Sequence, residues 1–254
     1  MTTPYTAAFY TKWRGTSLES ARQIVPFILE IVQPRSVVDV GCGVGTWLAA
    51  FHATGVTNLL GIDGAHVRPE QLLIPPHLFR ASDLAVTVDV DQTFDIAVSL
   101  EVAEHLPKSR AESFVADLVR LAPVVLFSAA IPFQEGEGHI NEQWPAYWAE
   151  LFGRHDYVSV DCIRDRFWCD ENVEYWYAQN TVLYVRRDRL DQGVGATTLR
   201  EAFSRARPGM PLPLVHPLRY LDLADPRRMS LARSLKTIPT VAVSMMLRRL
   251  KRRS

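Results

Sequence analysis

The stretch VVDVGCGVGTW, Val37 to Trp47, sets an apolar, largely β-branched run directly before glycines at 41, 43 and 45, with a helix-like TWLAAFHATG straight after. A buried strand, a glycine turn and a helix start in succession make a ligand junction. Glycine lets the backbone approach a ligand closely, and the helix N-terminus presents unpaired N–H groups to it. A nicotinamide fingerprint, GxGxxG, would need glycine at 46, where Thr46 stands; the spacing here is GxGxG.

Outward from that turn, apolar runs alternate with helical spacing. TSLESARQIVPFILEIVQ (16–33) reads as an amphipathic helix opened by Ser/Thr caps and stopped at Pro34. NLLGID, a weaker LFRASDL, a nearly continuous FDIAVSLE and VVLFSAAIP read as strands, with KSRAESFVADLVRLAP as a helix. YVSVDCI and TVLYVRR close the pattern as two strands in succession. Alternating strands and helices predict an α/β fold with a parallel sheet covered on both faces, and the final strand pair predicts an antiparallel edge. Between them, residues 132–157 form a long insertion with a helix around Pro145 to Phe152; long ordered insertions at strand ends carry function.

Apolar residues make up 48% of the 254, which excludes a disordered chain. The formal net charge of zero hides an asymmetry: residues 1–185 hold 12 Lys/Arg and 23 Asp/Glu, residues 186–254 hold 16 and 5. Cys42, Cys162 and Cys169 form no CxxC pair, and the N-terminus shows no basic segment followed by an apolar run, so the expectation is a cytoplasmic protein. The apolar run Ile238 to Leu247 is too short to span a bilayer.

VDVGCGVGTW, LLGIDG, ASDL and FDIAVSLEVAEHLP resemble, in order and spacing, the motifs of class I S-adenosylmethionine (SAM)-dependent methyltransferases. The resemblance implies a Rossmann-like, seven-stranded, mostly parallel sheet with helices on both faces and an antiparallel last strand. It implies that Asp39, Gly41, Gly43 and Gly45 line the methionine and ribose portion of the cofactor. Asp63 would hold the ribose, Asp83 and Leu84 the adenine, and Leu100 and Glu101 would flank the sulfonium. The implied methyltransferase domain covers residues 1–187, with 1–34 as an N-terminal helical cap and 132–157 on the acceptor side; residues 188–254 form a basic accessory tail.

SLEVAEHLP, Ser99 to Pro107, puts Glu101, Glu104 and His105 where a buried strand ends. If the chain turns helical there, the three side chains share one direction, and two carboxylates with an imidazole suit a cation. Glu-x-x-Glu-His with a later histidine resembles the metal site of two methyltransferase groups, the small-RNA terminal 2′-O-methyltransferases and the catechol O-methyltransferases of ubiquinone synthesis. The likeness implies Glu101, Glu104, His105 and His139 as ligands of Mg2+ or Mn2+ that binds an acceptor diol. Without a metal, His105 or His139, with Glu104 nearby, becomes the candidate general base.

Asn141, Glu142, Trp144, Tyr147 and Trp148 are the candidate acceptor contacts, since aromatic rings interleaved with polar groups suit a sugar. The insertion and the C-terminal edge bear a weaker likeness to the sugar O-methyltransferases of methylmannose polysaccharide synthesis. A saccharide hydroxyl is therefore the expected acceptor, and the acidic body argues against nucleic acid. RNA ribose is the competing acceptor and a phenolic small molecule stays open, with a His general base in place of a metal; a non-catalytic SAM-binding scaffold is disfavoured by the intact glycine turn with Glu104 and His105. The tail regains helical spacing from Ser230 and ends in LRRLKRRS; it would contact the acidic body of its own chain or of a second copy (a homodimer), or an anionic membrane surface.

Overall fold

The computed structural model describes residues 7–191, 196–206 and 211–224. The basic end from residue 225, including the helical spacing expected from Ser230 and its membrane or subunit contacts, lies outside the described residues.

Helix α1 (Ala7–Val32) leads into β1 (Ser36–Val40), α2 (Thr46–Ala53), β2 (Asn58–Asp63) and a short β3 (Phe79–Ala81). Then follow β4 (Ile96–Leu100), α3 (Ala111–Leu121), β5 (Val124–Ser128), α4 (Pro145–Gly153) and β6 (Tyr157–Val160). Two short helices, α5 (Ile163–Phe167) and α6 (Tyr175–Asn180), precede β7 (Val182–Arg186), and α7 (Arg187–Asp191), α8 (Ala196–Arg205) and α9 (Pro217–Ala224) come last. The strands form one seven-stranded sheet in the order β3-β2-β1-β4-β5-β7-β6. Every pairing is parallel except those of β7, which runs antiparallel to both β5 and β6. The expected architecture is thus the observed one.

Nearly continuous apolar strands are explained by burial on both faces. Val37, Ile96, Val98 and Leu126 pack with α1, α2 and α8 on one side. Val38, Val40, Ala97 and Val125 pack with α3 and α4 on the other. Helix α1 begins well before the expected Ser/Thr cap: Thr16 and Ser17 lie inside it, and Ser20 Oγ donates to the Thr16 carbonyl. Ser20 Oγ also accepts the Glu174 N–H, and the Ser17 and Tyr177 hydroxyls meet at 3.2 Å, so α1 is tied to α6.

Residues beyond the expected boundary at 187/188 continue to pack on the unit that holds the sheet. Leu190, Leu199, Ala202 and Ala206 belong to the same core as α1, and Thr198 Oγ1 donates to the Ile31 carbonyl at 2.8 Å. The compact unit that holds the sheet ends at Leu214, and a second begins at Val215. Apolar contacts spaced along α8 decide this, whereas charge composition changes earlier. No described helix is long and apolar enough to cross a membrane.

Candidate functional site

Strand β1 pairs with β2 on one side and β4 on the other, so the connections leaving their C-terminal ends diverge and open a crevice, the usual ligand position in an open α/β sheet. The glycine turn forms one wall. Gly41, Gly43 and Gly45 all have positive φ (86°, 52° and 80°). A Cβ on Gly41 would overlap both methyls of Val102, which follows β4. Glycine is therefore demanded there by sterics as well as by conformation.

Asp63, at the end of β2, braces this turn. Its Oδ2 accepts the Gly43 N–H and its Oδ1 the Gly64 N–H, both at 2.6 Å. Burial raises the Asp63 pKa, and these two bonds oppose the rise. Asp39 lies deeper: it is buried, and its Oδ2 has no hydrogen-bond partner. Burial, followed by the charge of Asp63, holds the Asp39 carboxyl well above its ordinary value.

A cavity of about 580 Å3 opens over these groups. This falls in the range of small-molecule and cofactor sites. Its lining gathers Asp83, Leu84 and Ala85 after β3, Asp63 at the end of β2, Gly43 after β1, and Leu100, Glu101 and His105 at and after β4, with His139 from the insertion. Tyr175, Trp176 and Tyr177 of α6, with Ser17 of α1, also line the cavity.

Glu101 does not join a helix with Glu104. It adopts φ 55°, and a short 3-10 turn begins only at Ala103. Its carboxylate turns to the opposite partners: Oε1 accepts Asn180 Nδ2 at 3.0 Å and Oε2 accepts Gln134 Nε2 at 2.9 Å. Its N–H donates to Ser128, and burial raises its pKa against these bonds.

Among the described residues, Glu104, His105 and His139 form a group whose potential ligand atoms all lie within 4.8 Å of one another. Glu104 has no exposed surface; its carboxylate makes no hydrogen bond of full geometry, but the backbone N–H groups of Glu104 and Ala130 and the Glu101 carboxyl lie beside it. Burial, then the charge of Glu101, holds its pKa well up. The two imidazoles meet edge to face, with centroids 4.9 Å apart. Burial, aided by His139, lowers the pKa of His105 to about 4, so its ring is neutral near pH 7. His139 Nδ1 lies 2.9 Å from Glu142 Oε1. The Glu142 carboxylate also accepts the N–H groups of Phe133 and Glu135 at 2.7 Å, so one side chain shapes the 133–142 loop and orients the ring.

The expected residues are thus sorted. Asp39, Gly41, Gly43, Asp63, Asp83, Leu84, Leu100, Glu101, His105 and His139 surround one cavity. Gly45 is not among its lining residues; it packs under Ile74 at the start of α2. Glu101 lies outside the close group of potential ligands formed by Glu104, His105 and His139, and its carboxylate accepts from Asn180 and Gln134. Of the acceptor candidates, Trp148 is fully buried against Phe127, in the core beneath α4. Tyr147 packs on Trp148 with Lys108 over its ring, and Asn141 is buried against the Ala103 carbonyl. Trp144 is exposed outside the cavity, and Glu142 works through His139 and the loop. Helical placement explains this: α4 turns its apolar face to the sheet. Sequence reading did not single out Gln134 and Asn180; their signal, two amides 46 positions apart, shows only after folding.

Residues 10–162 match the Methyltransf_23 family, a methyltransferase domain. A probable tocopherol O-methyltransferase from Oryza sativa is 32% identical over 98 residues, covering 35% of this chain and 26% of that protein. An ajmaline N-methyltransferase from Rauvolfia serpentina is 32% identical over 101 residues, 35% of this chain and 33% of that protein. The chain thus spans a third or less of these curated relatives. Among solved structures, a sugar N-methyltransferase from Streptoalloteichus matches with TM-score 0.56 at 15% identity, covering 74% of this chain and 95% of that one. A SAM-bound amino pentose methyltransferase from Micromonospora echinaspora matches with TM-score 0.52 at 16% identity, covering 73% and 99%. Identities this low carry the fold alone. With the family match spanning more than half of the residues, and the sheet order and glycine turn in place, the chain belongs to the methyltransferase-domain family.

Proposed function

We propose that this protein transfers the methyl group of SAM to a hydroxyl of a sugar or saccharide precursor, with Mg2+ or Mn2+ at Glu104, His105 and His139 binding the acceptor diol. The observation that carries this reading is the closeness of those three side chains, His105 and His139 lining the cavity and Glu104 buried directly behind them. A fully buried acid beside a second carboxyl, Glu101, is costly to ionise unless a cation meets it or it keeps its proton. The His139–Glu142 pair has the form of the outer carboxylate that orients a metal-binding imidazole.

Other groups of the cavity suit the cofactor. The unpartnered Asp39 Oδ2 fits a ligand that carries an ammonium group, and Asp63 keeps lone pairs for ribose hydroxyls after accepting two backbone N–H groups. Tyr175, Trp176 and Tyr177 offer ring faces to an acceptor. Methyl transfer from a sulfonium asks the protein for alignment and a deprotonated acceptor. A bound divalent cation supplies Lewis acidity that lowers the pKa of an acceptor hydroxyl. Glu101, held by its two amides, keeps a fixed carboxylate in the cavity lining. Two structural relatives are described as a sugar N-methyltransferase and an amino pentose methyltransferase, which bears on the sugar but not on the hydroxyl.

The His139–Glu142 pair also favours a second reading, in which His139 is a metal-independent general base with its tautomer set by Glu142. A turnover assay on saccharides, amino sugars, phenols and short RNAs, with and without a chelator, separates the two. The proposal expects turnover on vicinal diols that chelation abolishes and Mg2+ or Mn2+ restores. Full activity after chelation leaves the general base; turnover confined to amines, phenols or RNA removes the sugar hydroxyl.

A further inference from the structure

Residues 82–95 connect β3 to β4 without helix or strand, yet they carry Asp83, Leu84 and Ala85 into the lining of the cavity. Asp83 is fixed in a local turn, its Oδ1 accepting the Ala85 N–H at 2.9 Å. Beyond it, the chain exposes backbone groups that no neighbouring strand receives. Side chains in and just before helix α3 receive them instead. Arg110 Nε donates to the Leu84 carbonyl at 3.1 Å and its Nη2 to the Val86 carbonyl at 2.8 Å. Arg120 donates to the Val88 carbonyl and, through Nη1, to the Val90 carbonyl at 3.0 Å. Asp117 Oδ2 accepts the Val88 N–H at 3.0 Å and pairs with Arg110.

Four carbonyls at alternate positions, 84, 86, 88 and 90, are thus held by two guanidinium groups, Arg110 just before α3 and Arg120 within it. Arg110 and Asp117 are both buried, so their ion pair is shielded from water and tightly constrained in geometry. Leu84, Val88 and Val90 pin the apolar side of the same segment to the core.

We infer that Arg110 and Asp117 are positioning residues for the cofactor's base: they hold the 83–85 rim at the register that reads the adenine edge. The inference rests on the SAM reading above. A rim that is held rigidly discriminates by hydrogen bonding, since a mismatched edge leaves fixed polar groups unpaired; a rim that yields loses that discrimination.

The test is the ratio of dissociation constants of S-adenosylhomocysteine and S-inosylhomocysteine, which differ at the base edge, measured calorimetrically on the full chain. Wild type should prefer the adenine compound. Arg110→Lys keeps the charge but loses the fork, and Asp117→Asn keeps the shape but loses the ion pair. Each should reduce the preference by about fivefold or more, chiefly through weaker binding of the adenine compound. Fold destabilisation alone weakens both ligands alike and leaves the ratio unmoved. Arg154→Gln, which breaks only exposed ion pairs with Glu112 and Glu150, should keep the wild-type ratio. If Arg110→Lys fails to fold, Asp117→Asn carries the test. Wild-type preference retained in a folded Arg110→Lys or Asp117→Asn protein overturns the inference alone; a wild type that binds neither ligand overturns the SAM reading with it.

Discussion

His139 Nδ1 and the Glu142 carboxylate lie 2.9 Å apart, and the same carboxylate holds two backbone N–H groups of the loop between them and β5. A carboxylate oxygen accepts, so the contact orients the ring through Nδ1 and leaves Nε2 on the far side of the imidazole.

Glu142→Gln should therefore lower turnover by roughly 10–100-fold. Cofactor affinity should stay near wild type, because Glu142 does not line the cavity. Steady-state kinetics alongside calorimetry checks this. Comparable losses in cofactor affinity and turnover would place the effect on the loop as a whole.

Asp39 should couple cofactor binding to proton release. Its pKa is raised in the free protein by burial and by Asp63, and a cationic ligand group beside it lowers that value. The complex then binds fewer protons than the free protein, so affinity rises with pH up to the raised pKa and is lost below it. Calorimetry over a series of pH values, in two buffers of different ionisation heat at each, measures the release. Asp39→Asn should abolish it and weaken binding. The same variant should stabilise the free protein above the unfolded carboxylate pKa: the raised folded value means that Asp39 opposes folding there. Identical apparent heats for wild type in both buffers would remove Asp39 as the partner.

Gly41→Ala should destabilise the fold by about 2 kcal/mol or more, combining positive-φ strain with the overlap against Val102. Adding Val102→Ala relieves the overlap and leaves the backbone strain, so the double variant should be more stable than additivity of the two single changes predicts. Urea denaturation of the four proteins measures the coupling. Simple additivity would mean that the two loops do not press on each other at this point.

Truncation after Arg187 should cost about 3 kcal/mol or more and lower the melting midpoint by roughly 6–12 °C, because Leu199 of α8 is fully buried in the core shared with α1. Truncation after Leu214 keeps α8 and should cost less. Thermal unfolding of both truncated chains decides; equal midpoints would put the domain boundary back at residue 187.

How much was written in the sequence differs by level. The strands were legible because burial on both faces demands unbroken apolar runs such as VVDV and IAVSL, and β2 falls at NLLGID as read. The glycine turn was legible because positive φ restricts the residue type locally. The cavity's acids were legible because they end strands, and strand ends in an open sheet meet at one edge.

Roles within the cluster were not. Glu101, Glu104 and Glu142 look alike along the chain, yet one is held by two amides, one is fully buried beside a second carboxyl, and one orients a histidine. Trp144 and Trp148 are equally aromatic, but Trp144 stands just before α4 and is exposed, whereas Trp148 lies on the buried face of that helix. Arg110, Asp117 and Arg120 read as the charged face of an amphipathic helix, and become a template for an irregular segment only because residues 84–90 lie across them. Periodicity and backbone conformation are local properties that a sequence expresses directly. Which donor meets which acceptor across tens of residues is decided by packing, and only the tertiary structure contains it.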